Sequence, residues 1–232
     1  DNWCNDAAHC LARATAAQID SVACEFVHAG PFYVLNLANG NSIITKANTL
    51  QAGAEGGHYD PAPIFRSVAN WATCAIGKRV PVPADVAAVV RDRLLGVLWS
   101  QCVDILDRSI GEAPDLDLGC RLALGFRHGP LELMRILGEP EVRRVLQRFA
   151  AERLGMPMPQ RALGEYQRFE HGVLVDKLDG VIVITLRRPE ALNALHDELN
   201  DEIRQVIRRH EADPAVQGFV LVGYGTHAFC AG

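Results

Sequence analysis

The chain has 232 residues, 49% hydrophobic and 22% charged, which excludes a disordered polypeptide and suits one large or two modest domains. A formal net charge of −5 and an isoelectric point near 5.9 offer no electrostatic basis for a nucleic-acid partner. No apolar run reaches the roughly 18–20 residues of a membrane span, so no membrane partner is expected, and DNWCNDAAHC has neither the basic nor the apolar part of a signal peptide. With no initiator Met, the chain is expected to be cut from a longer polypeptide. Seven cysteines without a CxxC pair read as reduced thiols in the cytoplasm, with Cys24, Cys102 and Cys120 on apolar faces. Cys4, His9 and Cys10 lack a second spaced ligand pair, so no metal site is expected.

In chain order, Ala7 to Ala14 reads as the tail of a helix. Ile19-Asp20, an apolar run and Gly30-Pro31-Phe32 follow, opening a segment rich in Leu and Val. Residues 38 to 82 read as a long connection, with a short helix expected from Pro63 to Ile76. Within it Gly56-Gly57-His58-Tyr59-Asp60-Pro61 is a functional loop or, more simply, a surface connection whose Tyr59 and Pro61 pack on helices. Pro83 to Arg108 is predicted to be a helix of about seven turns. Val86, Val89, Val90, Leu94, Val97, Leu98, Cys102 and Ile105 form its apolar face, with Arg91, Asp92, Gln101, Asp104 and Asp107 on the wet one. A loop from Ser109 to Pro114 leads to a second apolar stretch, broken at Gly129-Pro130.

The order of parts is repeated. Leu116-Asp117 answers Ile19-Asp20, and Gly129-Pro130-Leu131 answers Gly30-Pro31-Phe32. The Pro opens a helix and the Gly lets the preceding chain turn sharply. Two helical copies, about 1–40 and 83–140, are therefore expected to pack face to face about an approximate two-fold axis in an all-α domain over 1–154. Arg143, Arg144 and Arg148 read as the wet face of a helix rather than a phosphate site.

Residues 155–170 lack periodicity and read as a linker. Beyond them Val173–Lys177 and Val181–Leu186 read as a hairpin turning through Leu178-Asp179-Gly180. A helix within HDELNDEIRQVIRRHEAD places Leu195, Leu199, Ile203, Val206, Ile207 and His210 on one face, and GFVLVG reads as a short buried strand. Asp197, Glu198, Asp201 and Glu202 then fall on a solvated face rather than forming an acid–base pair. The expected fold class is a mainly α domain of two helical repeats followed by an α/β ββαβ segment.

The IDxxxxFxxxGPF and DLxxGxRLALGFRHGPLEL patterns resemble the C-terminal helical domain of 3-hydroxyacyl-CoA dehydrogenases in its two-repeat form. In that family an Asn-Arg pair precedes Leu-Leu on the helix before the GP motif. This chain has Asp92-Arg93-Leu94-Leu95, and the family's catalytic Asn, in the first copy, would fall upstream of Asp1. VIVITLRRPEALNALHDEL, EADPAVQGFVLVGYG and HAFCAG resemble the opening of an enoyl-CoA hydratase/isomerase (crotonase) domain, here over 171–232. That resemblance implies backbone contacts to the adenine end of CoA from Leu192, Asn193 and Ala194. It also implies that Ala231 and Gly232 lead to the first oxyanion-hole N–H, on the residue after the Gly. Two such donors and positioned carboxylates are what hydration of an enoyl thioester requires.

Gly223-Tyr-Gly225-Thr-His-Ala228 fits a GxGxxA dinucleotide pattern, but no helix is expected after it to receive a pyrophosphate. The resemblances therefore imply an internal portion of a bifunctional β-oxidation enzyme. NAD would be bound by a domain outside this chain, the substrate would be an acyl-CoA, and the helical domain would carry a homo-oligomer contact. No residue here is expected to be catalytic, and the chain alone is expected to be silent. A non-catalytic helical dimerisation or spacer module and a degenerate acyl-CoA binder are the alternatives.

Overall fold

The computed structural model describes residues 1–168 and 172–232, in two units, Asp1–Gln167 and Arg168–Gly232. In the first unit the helices run α1 (Asn2–His9), α2 (Ala16–Ala23), α3 (Pro31–Leu37), α4 (Gly40–Glu55), α5 (Ala84–Asp107), α6 (Ala113–Leu124), α7 (Pro130–Leu137) and α8 (Glu139–Glu152). Helix α5 spans the stretch its periodicity predicts and buries Val90, Leu94, Val97, Trp99, Cys102 and Val103. Gly96 gives it a bare patch, where an added Cβ would meet the Phe149 ring of α8. Asp92 does not lie on a wet face: it is 4% exposed and held by arginines of α8.

Each copy is built on the same clamp. Asp20 accepts the backbone N–H groups of Phe32 and Tyr33 at the start of α3, both at 2.9 Å. Asp117 accepts those of Leu131 and Glu132 at the start of α7, at 2.7 and 2.8 Å. The orphan donors of a helix N-terminus are thus satisfied by a carboxylate from the preceding helix. The Gly of each pair is not there to let the chain turn sharply. Gly30 (φ −71) and Gly129 (φ −61) have ordinary backbone angles, but a Cβ at either would overlap the clamping carboxyl group. Phe32 and Leu131 are fully buried.

The two copies meet at an isolated antiparallel bridge between Val27 and Phe126, each three residues before its Gly. The His28 N–H bonds to the Gly125 carbonyl and the Arg127 N–H to the Phe26 carbonyl. Equivalent residues facing each other, with reciprocal bonds, are what a local two-fold axis requires.

The expected connection over 38–82 is wrong in its first half, where α4 runs for 16 residues. Its Gly, Asn, Ser and Thr content is poor for a helix, yet burial of Ile44 and Asn48 against the unit outweighs propensity. The helix expected over Pro63–Ile76 is a single 3-10 turn, Pro63–Arg66. Beyond it, side chains replace helical bonding. Asn36 makes two bonds to the Trp71 backbone, and Asn41 binds the Val68 carbonyl and the Trp71 indole N–H. Tyr59 is buried, as the simpler reading of its loop requires. Of the expected linker 155–170, residues 155–167 form part of the helical unit, with Met156, Leu163 and Tyr166 buried; 169 and 170 lie outside the described residues, as does 171.

In the second unit β1 (Val173–Leu178) pairs antiparallel with β2 (Val181–Leu186), and β2 pairs parallel with β3 (Gly218–Gly223). Leu178 belongs to β1, leaving Asp179 (φ 47) and Gly180 (φ 82) as a two-residue turn of the kind that matches strand twist. Helix α9 (Asp197–His210) crosses between β2 and β3 and packs Leu199 and Val206 on Val173, Ile182, Ile184 and Leu186. Leu195 precedes α9 and is exposed, so it does not share that face. The strand expected to be buried is not: Phe219, Val220 and Leu221 of this edge strand are 37–45% exposed and lie outside the core that α9 covers.

Candidate functional site

The residues expected to contact CoA lie in two segments that the second unit brings together. After β2 the chain passes through a 3-10 turn, Pro189–Ala191, into Leu192 (φ 49) and Asn193 (φ 57), both in the left-handed region. Asn tolerates that region because its short amide can bond locally. Asn193 does so: its N–H donates to the Arg188 carbonyl at 2.8 Å and its Oδ1 accepts the Arg188 N–H at 3.1 Å. Arg188 in turn donates from Nη1 to the Ala194 carbonyl at 2.9 Å.

The N–H groups of residues 191 to 195 are all engaged inside the unit: Ala191 and Asn193 with Arg188, Leu192 with Pro189, Ala194 with Ala191, Leu195 with Gly232. What this turn can offer a ligand is carbonyl oxygen and the exposed Leu192 side chain, which suits a flat ring bearing N–H donors.

The second segment leaves β3 at Gly223 and ends at Ala231-Gly232. Gly232 comes beside the turn through its carbonyl, 2.8 Å from the Leu195 N–H. Tyr224 is tied to β2 through a 2.8 Å bond from its N–H to the Leu186 carbonyl. Residues 224–229 form bends with no helix, so the GxGxxA run lacks the helix N-terminus that would hold a pyrophosphate. Gly223 has a packing reason instead, since a Cβ there would overlap the Ala228 and Phe229 backbone. Asp197, Glu198 and Asp201 are exposed, while Glu202 accepts the Gly172 N–H at 2.6 Å. Arg188 and the side chain of Asn193 are the supports that sequence reasoning missed; the only advance signal was an Asn after Leu in a turn.

In the helical unit the polar residues are engaged structurally. Arg144 grips Asp92 through both Nη atoms at 2.7 and 2.8 Å, and Arg148 adds a third bond at 2.8 Å. Burial raises the Asp92 pKa, but these bonds outweigh it and hold the carboxyl below its ordinary value. The basic cluster lies on the solvent side of α8, Arg143 paired with Glu139 and the partly exposed Arg144 and Arg148 reaching in to Asp92. Asp6, buried in α1, is bound by Arg93 at 2.6 Å and Arg153 at 3.0 Å. Burial pushes the thiols up, Cys4 and Cys120 to about 11 and Cys10 to about 12, so they are not thiolate nucleophiles at neutral pH. An open depression of about 740 Å³ between α4 and residues 65–69 has Lys46 and Arg66 in its lining and contains no residue matched to CoA.

Residues 89–174 match the family model for the 3-hydroxyacyl-CoA dehydrogenase C-terminal domain, and residues 176–232 match that for enoyl-CoA hydratase/isomerase. A mitochondrial enoyl-CoA hydratase of Pongo abelii is 52% identical over 56 residues, 24% of this chain and 19% of that one. A mitochondrial 3-hydroxyisobutyryl-CoA hydrolase of Homo sapiens is 32% identical over 97 residues, 41% of this chain and 25% of its own length. A probable 3-hydroxyisobutyryl-CoA hydrolase of Arabidopsis thaliana is 43% identical over 60 residues, 26% and 16%. The chain thus spans about a sixth to a quarter of the curated relatives it matches. No solved structure matches.

Proposed function

We propose that this chain, in which a 3-hydroxyacyl-CoA dehydrogenase C-terminal domain runs into the opening of an enoyl-CoA hydratase/isomerase domain, is part of a multifunctional enzyme of fatty-acid β-oxidation. The order of the two family matches, 89–174 then 176–232, carries this reading. One half would hydrate a trans-2-enoyl-CoA, and the other would oxidise the resulting 3-hydroxyacyl-CoA with NAD in a reducing compartment. The dehydrogenase family's His–Glu pair and the crotonase acid/base glutamates match no residues here, so neither chemical step is assigned to this sequence. What its own residues would supply is one wall of an acyl-CoA site, with Leu192 and Ala194 facing the adenine end, Asn193 buried behind them, and Ala231-Gly232 leading toward the thioester carbonyl. Carbonyl acceptors on the turn suit the exocyclic amino group of adenine. The helical unit would close over the NAD domain and provide the contact between subunits.

Matches to proteins named as hydratase and as hydrolase leave the second half's reaction to residues beyond this segment. One observation favours a structural role for the second helical copy. At the position where the family carries Asn, Asp92 is buried and gripped by Arg144 and Arg148, and so is not available to a substrate.

The test follows absorbance with crotonyl-CoA, and separately with acetoacetyl-CoA plus NADH. Both reactions are expected from the full-length gene product and neither from the 232 residues alone. A full-length product that turns over neither thioester would overturn the assignment.

A further inference from the structure

Asn193 as a whole is 1% exposed, so neither its side chain nor, contrary to expectation, its backbone is a surface a ligand touches. Its amide is nevertheless fully employed. Besides accepting from Arg188, Nδ2 donates to the Tyr224 carbonyl at 3.1 Å and to the Ala228 carbonyl at 2.9 Å. One residue therefore joins the turn after β2 to two points of a single segment, Tyr224 and Ala228, 31 and 35 residues further on. The Leu195–Gly232 bond closes the same ring from the other side. Elsewhere in 224–232, Cys230 packs against the core of the unit and the Tyr224 N–H bonds to the Leu186 carbonyl, while the Tyr224 and Phe229 side chains are exposed.

We infer that Asn193 is a positioning residue: its buried amide latches segment 224–228 to the 188–195 turn and so sets the spacing between the two halves of the CoA-contacting wall. This rests on the acyl-CoA reading of that wall. The chemistry requires a primary amide. Two carbonyl oxygens need two N–H donors, and the Arg188 N–H needs an acceptor on the same short side chain. Asp would set a carboxylate against two carbonyls, and Gly would keep the left-handed backbone without any latch. Buried hydrogen bonds of this kind cost most when one partner is removed and the others stay behind. The Asn is therefore needed for its side chain as well as for its backbone angle.

The experiment compares the 232-residue chain with its Asn193→Gly and Asn193→Asp variants. Free CoA is titrated by calorimetry, and ¹⁵N spectra follow the amide signals. In the wild type, CoA should shift the backbone amides of Leu192 and Ala194. The Asn193 Nδ2 protons should exchange slowly with and without ligand. Asn193→Gly should bind CoA at least about tenfold more weakly, with faster amide exchange at Tyr224 and Leu195 and unchanged α9 signals. Asn193→Asp should lose at least as much.

CoA affinity in Asn193→Gly within about twofold of wild type would overturn the latch, because the backbone angle alone would then suffice. So would a large CoA-induced shift of the Nδ2 signals, which would make the side chain a ligand contact. Failure of the wild type to bind CoA at all would overturn the acyl-CoA reading of the wall. In that case the exchange rates at Tyr224 and Leu195 would still show whether Asn193 holds the two segments together.

Discussion

Gly30 and Gly129 sit where backbone angles would admit any residue, yet each is the only side chain small enough beside its clamping carboxylate. Gly129→Ala should therefore cost about 3 kcal/mol, at the upper end for overpacking, in chemical denaturation. A change under about 0.5 kcal/mol would mean that Asp117 moves aside freely. Phe32→Ala at the same joint should cost about 3–5 kcal/mol, as for a buried aromatic. The clamps also predict a pH dependence. Burial pushes Asp20 and Asp117 up to about 6 against the pull of the backbone N–H bonds. The folded chain then holds protons between pH 3.8 and 6 that the unfolded chain has released. Their contribution is full below about pH 4 and lost as pH rises through 6. Carboxyl carbon NMR should find two aspartates titrating near 6. Ordinary values for both would refute the burial argument.

Asp92 has the opposite sign, and its effect belongs to the docking of one helix on another. The grip of Arg144 and Arg148 joins α8 to α5, and the lowered Asp92 pKa means stability present above its ordinary 3.8 and lost as pH falls through the folded value. The pair is asymmetric, since the carboxylate is buried while both guanidinium groups are partly in water. Asp92→Asn, which lets the arginines rehydrate, should cost about 1–2 kcal/mol. Arg144→Ala with Arg148→Ala leaves a buried charge unpaired and should cost about 3–5 kcal/mol. Equal losses in urea unfolding would show that Asp92 reaches water. Helix α4 makes a related point about elements: its residues favour turns, and only the burial of Ile44 and Asn48 makes it a helix.

For the whole molecule, the division into Asp1–Gln167 and Arg168–Gly232 has a direct consequence. Residues 1–167 expressed alone should fold, with a helical circular dichroism spectrum and one cooperative transition. A molten, non-cooperative profile would show that the helical unit depends on the remainder. The second unit presents β3 with an unpaired edge and exposed Phe219, Val220 and Leu221, which is the more aggregation-prone half by its edge alone.

Local patterns were enough for the parts that local physics decides. The 3.6-residue period of α5, the Asp-Gly turn between β1 and β2, the order strand–helix–strand and the Gly-Pro helix starts all follow from propensity, turn chemistry and apolar spacing. The matching Ile19-Asp20 and Leu116-Asp117 and the repeated Gly-Pro pairs likewise carried the internal symmetry. Tertiary structure alone decided the rest. That Asp20 and Asp117 clamp those prolyl helices depends on carboxylates reaching 12 to 15 residues ahead. That Asp92 is buried depends on arginines 52 and 56 residues away. That Asn193 latches Tyr224 and Ala228 depends on carbonyls 31 and 35 residues on. Polar side chains look alike in sequence whether they face water or a distant backbone, because their partners are chosen by the packed fold and not by their neighbours in the chain.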